Sequence, residues 1–352
     1  MKAPRFCAAV SVLAALVILT AMVSSQSLTS STSLAQPKRI SGATNLSPRV
    51  FASLQWDSTH QLFAESLTAG KDGMLYAGIS DSLFTGLCYV ARFLPNGKQQ
   101  VLATVPPVIC ANGFLLGVAF DEDNRLHVAF FTSAPGVNPG VYRVEPNGSL
   151  TLAFSLPPDS FPNGIAFYGD DLYVSDSFQG AIWRKGPHDS PVATTPWYHD
   201  STLLAPYGFG ANGIAFYRNS LFVAVADAGS IVRIAIQHDG SPSAWQYAAP
   251  PDSRLATIDG IAFDVTGRLW FTVNYGSDGA GGKLGTLDEN GTVSILADSP
   301  GWLDYPTQVV FGSKPYNRNT LYLSNAGLLG GVPNILSFDV GVAGIPLPAD
   351  RY

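Results

Sequence analysis

Charge is scarce in this chain. Only 13% of its 352 residues are Asp, Glu, Lys or Arg, and the net charge of −6 comes without any run of Lys or Arg. That shortage excludes a nucleic-acid partner, because neutralising phosphates takes a clustered basic footprint. Cysteine is rarer still: Cys7, Cys88 and Cys110 form neither a CxxC redox pair nor a zinc-ligand spacing. Long helices are missing as well. With 35 Gly and 25 Pro, reinforced by β-branched residues, every candidate helical segment is interrupted, which removes helical solenoids from consideration.

What is present suits a turn-rich soluble fold, with 46% hydrophobic residues and ample length for a large core. The N-terminus reads separately. Lys2 and Arg5 precede an apolar stretch from Phe6 to Val23, followed by Ser24 and Ser25, the pattern of a secretory signal over residues 1–25. Export is expected, secreted or periplasmic, with no membrane insertion beyond the leader. At about 18 residues the stretch also reaches the lower limit for a bilayer span, so an uncleaved, membrane-tethering anchor is the alternative. Ser- and Thr-rich residues 26–44 read as a flexible linker, leaving 45–352 as the folded domain. Because Cys7 lies in the leader, Cys88 and Cys110 are the only pair in an exported chain, and a disulfide between them is expected over two buried thiols.

One phrase recurs. "PNGIAFYGDDLYVSD" from Pro162 returns as "ANGIAFYRNSLFVAVAD" from Ala211 and "IDGIAFDVTGRLWFTVN" from Ile258. Fainter copies begin near Ala64, Leu115 and Thr307. Each is an apolar strand, a polar turn and a second strand opened by Leu. The residues heading the six frames are Glu65, Leu116, Asn163, Asn212, Asp259 and Gln308, spaced at 47 to 51 residues. Further turns follow about thirty residues after most of them, at Pro95–Gly97, Pro146–Gly148, His238–Gly240 and Glu289–Gly291. Two hairpins per repeat, six times over, predict an all-β, six-bladed β-propeller with four antiparallel strands per blade. The last blade lacks a strand after "NILSFDV" (Asn334 to Val340), and "RVFASLQW" (Arg49 to Trp56) supplies it, closing the ring and shielding both chain ends.

In such a ring the first strand of each blade lines the central channel, so residues distant in sequence meet at its mouth. Glu65, Asn163, Asn212 and Asp259 bring two carboxylates and two amides there, and Asp81, Asp176, Asp227, Asn274 and Asn325, ending the second strands, are expected nearby. Hard oxygen donors suit Ca²⁺ best, then Mg²⁺ or Mn²⁺, and Zn²⁺ least. The competing reading makes Asn-Gly and Asp-Gly mere turn or strand-start residues.

The order Glu65, Asn163, Asn212, Asp259, with Gly after each of the last three, resembles the SMP-30/gluconolactonase-like family, related to diisopropylfluorophosphatase and paraoxonase-type lactonases. The resemblance spans the chain from about Arg49 onwards. It implies a calcium-dependent hydrolase of a small lactone or ester, with those four residues on the metal and Asp259 as catalytic carboxylate. Departures are visible: Ser66-Leu67 follows the Glu where the family commonly has Gly or Ser and then Pro, Gly164 replaces a common Asp, Ile258 replaces a common Pro, and the paraoxonase histidine pair has no counterpart.

Alternatives from other classes are a non-catalytic propeller binding a sugar, peptide or matrix ligand through loop aromatics such as Trp197, Tyr198, Tyr207 and Trp302, and a strictosidine-synthase-like enzyme. His199 reads as a surface-loop residue over a lid residue, His127 as a packed or exposed strand residue, and "YGSDGAGGKLG" (Tyr275 to Gly285) as a loop near the active face. It lacks the GKS/T ending of a phosphate loop.

Overall fold

Alternating apolar and polar residues pair into six antiparallel sheets of four strands, and strand order follows the chain in five of them. The computed structural model describes residues 46–346, apart from residue 56 and residues 205–207, 276–280, 299–301 and 314–317. The leader, the linker and Tyr207 therefore lie outside the described residues. Among those described, no helix is long and apolar enough to cross a membrane.

From the channel outwards, blade 1 holds Leu62–Ala69, Leu75–Asp81, Tyr89–Phe93 and Gln99–Thr104, and blade 2 holds Gly113–Phe120, Leu126–Thr132, Gly140–Val144 and Leu150–Ser155. Blades 3, 4 and 5 begin with Pro162–Tyr168, Ala211–Tyr217 and Ile258–Phe263, each followed by its own three strands. Blade 6 combines Pro306–Phe311, Thr320–Asn325 and Asn334–Asp339 with the N-terminal strand Arg49–Ser53 as its outermost member. Arg49 stands opposite Ser337 and Ser53 opposite Asn334, so the ring closes as expected. Glycines at the outer hairpins, Gly97, Gly148, Gly240 and Gly291, take φ of 76 to 83°, the left-handed backbone that these turns require.

The core lies between blades. Tyr173, Ile182, Ile214 and Val223 pack blade 3 on blade 4, and Val90, Leu115 and Val128 pack blade 1 on blade 2. Buried hydroxyls stitch neighbouring inner strands together. Ser175 Oγ donates to Asn212 O (2.5 Å), Thr272 Oγ1 to Thr307 O (3.0 Å), and Thr307 Oγ1 to Ala64 O (3.0 Å) across the closure. The glycines that follow Leu116, Asn163, Asn212 and Asp259 are explained by the same crowding. A β carbon on Gly213 would stand 2.3 Å from the carbonyl oxygen of Asp259, so a side chain there would push blade 4 off blade 5. The Asn-Gly and Asp-Gly pairs serve blade packing, not turns.

A disulfide joins Cys88 to Cys110, tying blade 1 to the short helix Pro107–Cys110 that leads into blade 2. At the far end of the channel a cavity of about 180 Å³ is lined by one aliphatic residue from each inner strand, Leu67, Val118, Ile165, Ile214, Ile261 and Val309, with Lys71, Asn124 and Gln308 also on its wall. Ile345 and Pro346 also line it, and Ile345 N donates to Phe263 O (3.2 Å).

Candidate functional site

Every inner strand breaks register at one place. Pairing shifts between Ala64 and Leu67, Leu115 and Val118, Pro162 and Ile165, Ala211 and Ile214, Ile258 and Ile261, and Pro306 and Gln308. Such a bulge re-aims a side chain, and here the first residue of each bulge lines a cavity of about 130 Å³ at the channel mouth. Those residues are Glu65, Leu116, Asn163, Asn212, Asp259 and Thr307. The four oxygen-bearing residues singled out from sequence are thus brought together. Gln308 is not the sixth member: it takes the position filled elsewhere by glycine or Ser66, and lines the far-end cavity. Blade 6 leaves one residue unpaired where the other bulges set two against one, yet Thr307 keeps the same spacing to Val309 that Asp259 keeps to Ile261.

Asp259 is buried, and its Oδ2 accepts from Asn274 Nδ2 (2.7 Å), which also donates to Pro306 O (3.1 Å). Burial drives its carboxyl above the ordinary range, and the amides of Asn274 and Asn212 offset part of that rise. Glu65 keeps partial exposure through the mouth. Its carboxyl is nonetheless raised well above the usual range, first by desolvation and then by the charge of Asp259. Asn163 Nδ2 donates to Ser177 Oγ (3.2 Å), while Asn212 Oδ1 is buried with no hydrogen-bond partner, a loss of about 1–3 kcal/mol in a protein interior.

Two carboxyls that each suffer from desolvation, beside an orphaned amide oxygen, form a donor set that a hard cation would satisfy. Among the described residues, no group of three or more His, Cys, Asp or Glu is placed to hold a metal. The set therefore has two carboxylates and otherwise amide oxygens, and it fits Ca²⁺ or Mg²⁺ where it does not fit zinc.

The residues ending the second strands divide. Asp227 and Asn274 line the cavity, Asp227 while its Oδ2 accepts from Phe209 N (3.0 Å), whereas Asp81, Asp176 and Asn325 do not line it and accept from backbone. Asp81 Oδ1 accepts from Gln61 N and Leu83 N, Asp176 Oδ1 from Phe161, Phe178 and Gln179 N, and Asn325 Oδ1 from Asp304 N. Their work is to anchor the segment that leads into each inner strand.

Sequence reasoning missed the cavity's aromatic wall. Phe63, Phe114, Phe161 and Tyr305 each sit two residues before the bulge residue of their blade, and Phe209 three before. Period-two alternation from the bulge residues would have found them. Phe178 and Tyr275, just past second strands, complete the wall. The rings interlock: Phe161 lies 4.8 Å from Phe178 and 5.4 Å from Phe209, and Tyr275 stacks on Tyr305 at 6.0 Å. Thr257 and Tyr305, both lining the cavity, hold φ of 63 and 55°, a costly conformation for residues other than glycine.

Of the loop aromatics, Trp197, Tyr198 and Trp302 pack into the scaffold. Trp197 Nε1 donates to Gly240 O (2.9 Å) and its ring packs on Tyr173, with Tyr198 in the same cluster; Trp302 packs on Phe338. His199 is exposed in the outermost strand of blade 3, away from the cavity. His127 is buried against Phe167, and desolvation holds it below the usual imidazole range. Of the Gly-rich stretch, Tyr275 reaches the cavity, and residues 276–280 lie outside the described residues.

No family model and no curated protein matches the sequence. Solved structures do match in fold. A calcium-binding protein, regucalcin, from Agrobacterium tumefaciens shares 15% identity at a TM-score of 0.60, over 87% of this chain and 98% of its own. A putative oxidoreductase (glucose dehydrogenase) from Thermus thermophilus shares 16% at 0.56, over 84% and 100%. An auxiliary nutrient binding protein from Bacteroides ovatus shares 10% at 0.56, over 84% and 76%. At these identities the likeness establishes the propeller fold alone.

Proposed function

We propose that the chain is a cation-dependent hydrolase that opens a small lactone or related ester at the channel mouth. The observation that carries this reading is the convergence of Glu65 and Asp259 with the unpartnered Oδ1 of Asn212 on one cavity. The resemblance noted in the sequence, and the calcium-binding regucalcin among the structural neighbours, favour Ca²⁺ as the ion. Glu65, Asn163, Asn212 and Asp259 would hold it.

A bound ion supplies Lewis-acid polarisation of the substrate carbonyl. The chain's own residues do the rest. Asp259 accepts a proton from water as the water oxygen bonds to the carbonyl carbon. The ester C–O bond then breaks, and the departing oxygen takes up a proton, leaving a hydroxy acid with one water consumed. Asn274, donating to Asp259 Oδ2, fixes the carboxylate's orientation. The surrounding phenylalanines exclude bulk water, which strengthens each polar contact within.

Calcium titration calorimetry on the chelator-stripped mature chain, with Asn163→Ala/Asp259→Ala as control, followed by a lactone and aryl-ester panel, tests the reading. One tight ion lost in the control, together with calcium-dependent turnover, supports it. Absence of binding in both proteins overturns it and leaves a non-catalytic binding module. The Cys88–Cys110 disulfide is consistent with an exported chain, which N-terminal sequencing of the mature protein would check.

A further inference from the structure

Five phenylalanines, Phe63, Phe114, Phe161, Phe178 and Phe209, line the cavity on the side of blades 1 to 4, interleaved there with Glu65, Asn163, Asn212 and Asp227. No lysine, arginine or histidine is among the described residues that line it, whereas Glu65, Asp227 and Asp259 are. An anionic ligand would find no side-chain counter-charge here, and the two charges of a bound Ca²⁺ are already matched by Glu65 and Asp259.

Three polar groups on the lining are already committed, and Glu65, Asp259 and Asn212 Oδ1 are those assigned to the ion. The Asn274 amide donates to Asp259 and Pro306 O, the Asn163 amide to Ser177 Oγ, and the Thr307 hydroxyl is shared between Ala64 O (3.0 Å) and Ser324 Oγ (2.7 Å). A ligand carrying several hydroxyls would bury them against rings, at about 1–3 kcal/mol for each one left unpaired. A single aromatic ring has the opposite fit. The cavity volume of about 130 Å³ is close to the ~150 Å³ apolar cavity that suffices to hold benzene, and interlocked Phe161, Phe178 and Phe209 offer ring edges and faces.

Resting on the hydrolase reading above, we infer that the substrate is an uncharged ester or lactone whose non-reacting part is one compact aryl or branched alkyl group. It is not a polyhydroxylated sugar lactone. The carbonyl faces blade 5 and the apolar group lies against the rings of blades 2 to 4.

The test uses the mature, calcium-loaded chain on matched substrates: phenyl-substituted γ- and δ-lactones against glucono-δ-lactone. In parallel, binding is measured of a phenyl-substituted cyclic ketone, which keeps carbonyl and ring but has no ester to cleave. The variants are Phe178→Ser and Phe178→Leu, the site being only partly buried. The expected result is that phenyl lactones are preferred at least tenfold, that Phe178→Ser raises KM about tenfold with kcat little changed, and that Phe178→Leu restores most of the loss. Preference for glucono-δ-lactone, or indifference of both variants, overturns the inference while leaving a hydrolase. Ketone binding that Phe178→Ser loses, with no turnover of any lactone, supports the apolar subsite and overturns the hydrolase reading. No ketone binding by the wild type overturns the inference outright.

Discussion

The two ends of one channel are built by the same six strands and obey different rules. At the far end each strand contributes an aliphatic residue, Leu67, Val118, Ile165, Ile214, Ile261 and Val309. At the mouth the matching positions read Glu65, Leu116, Asn163, Asn212, Asp259 and Thr307. Six-fold uniformity is what packing alone requires. Its loss at one end comes at the cost of desolvated carboxyls and an orphaned amide oxygen, which packing does not explain and the proposed cation site does.

The contrast breaks most sharply at Asp259. Asp259→Asn should lower turnover by at least about a thousandfold and abolish calcium binding, yet leave the metal-free protein as stable as the wild type or more so, since a desolvated charge is removed. Activity assays and melting curves with and without chelator measure both halves of that expectation. At the opposite end the outcome reverses. Ile214→Ala should cost about 2–4 kcal/mol by denaturant unfolding, with calcium affinity unchanged.

Two smaller effects sharpen the boundary between site and scaffold. The Asp81 carboxyl is raised by burial, but bonds from Thr85, His60, and the backbone of Gln61 and Leu83 outweigh this and hold it below the ordinary range. Its stabilisation is therefore full above the unfolded-state value near 4, and is lost as pH falls through the lower folded-state value. Asp81→Asn should flatten the unfolding-versus-pH curve below about pH 4, without touching calcium binding. Smallest is Thr307→Val, which removes the hydroxyl bridging blade 6 to blade 1 and should cost about 1 kcal/mol in thermal unfolding.

Much of this was legible in the sequence because a propeller repeats its chemistry. Blade number, strand count, ring closure and the four oxygen-bearing residues all follow from one period and one alternation. What escaped did so for local reasons. In blade 6 the frame is headed by Thr307, 48 residues after Asp259, and reading it from the neighbouring Gln308 hides Tyr305 as well. Asp176 and Asn325 sit opposite Pro162 and Pro306, whereas Asn274 lies one residue and Asp227 two residues past the equivalent Val273 and Val225, a difference in register that spacing alone does not show. The phenylalanines looked like ordinary core, since one alternation serves both blade packing and the channel wall.

Ring closure also dictates when the site can exist. Arg49 O accepts from Ser337 Oγ across 288 residues, and the strand pairing there brings together opposite ends of the folded chain. Contacts of that separation form late and slowly. Glu65 lies in the first blade and Asp259 in the fifth, so the two carboxyls meet only after nearly the whole polypeptide has been made and the circle has shut. A chain that lacks its last blade still carries Glu65, Asn163, Asn212 and Asp259 but leaves Glu65 apart from Asp259, so on the proposed reading cation binding would report on completed folding.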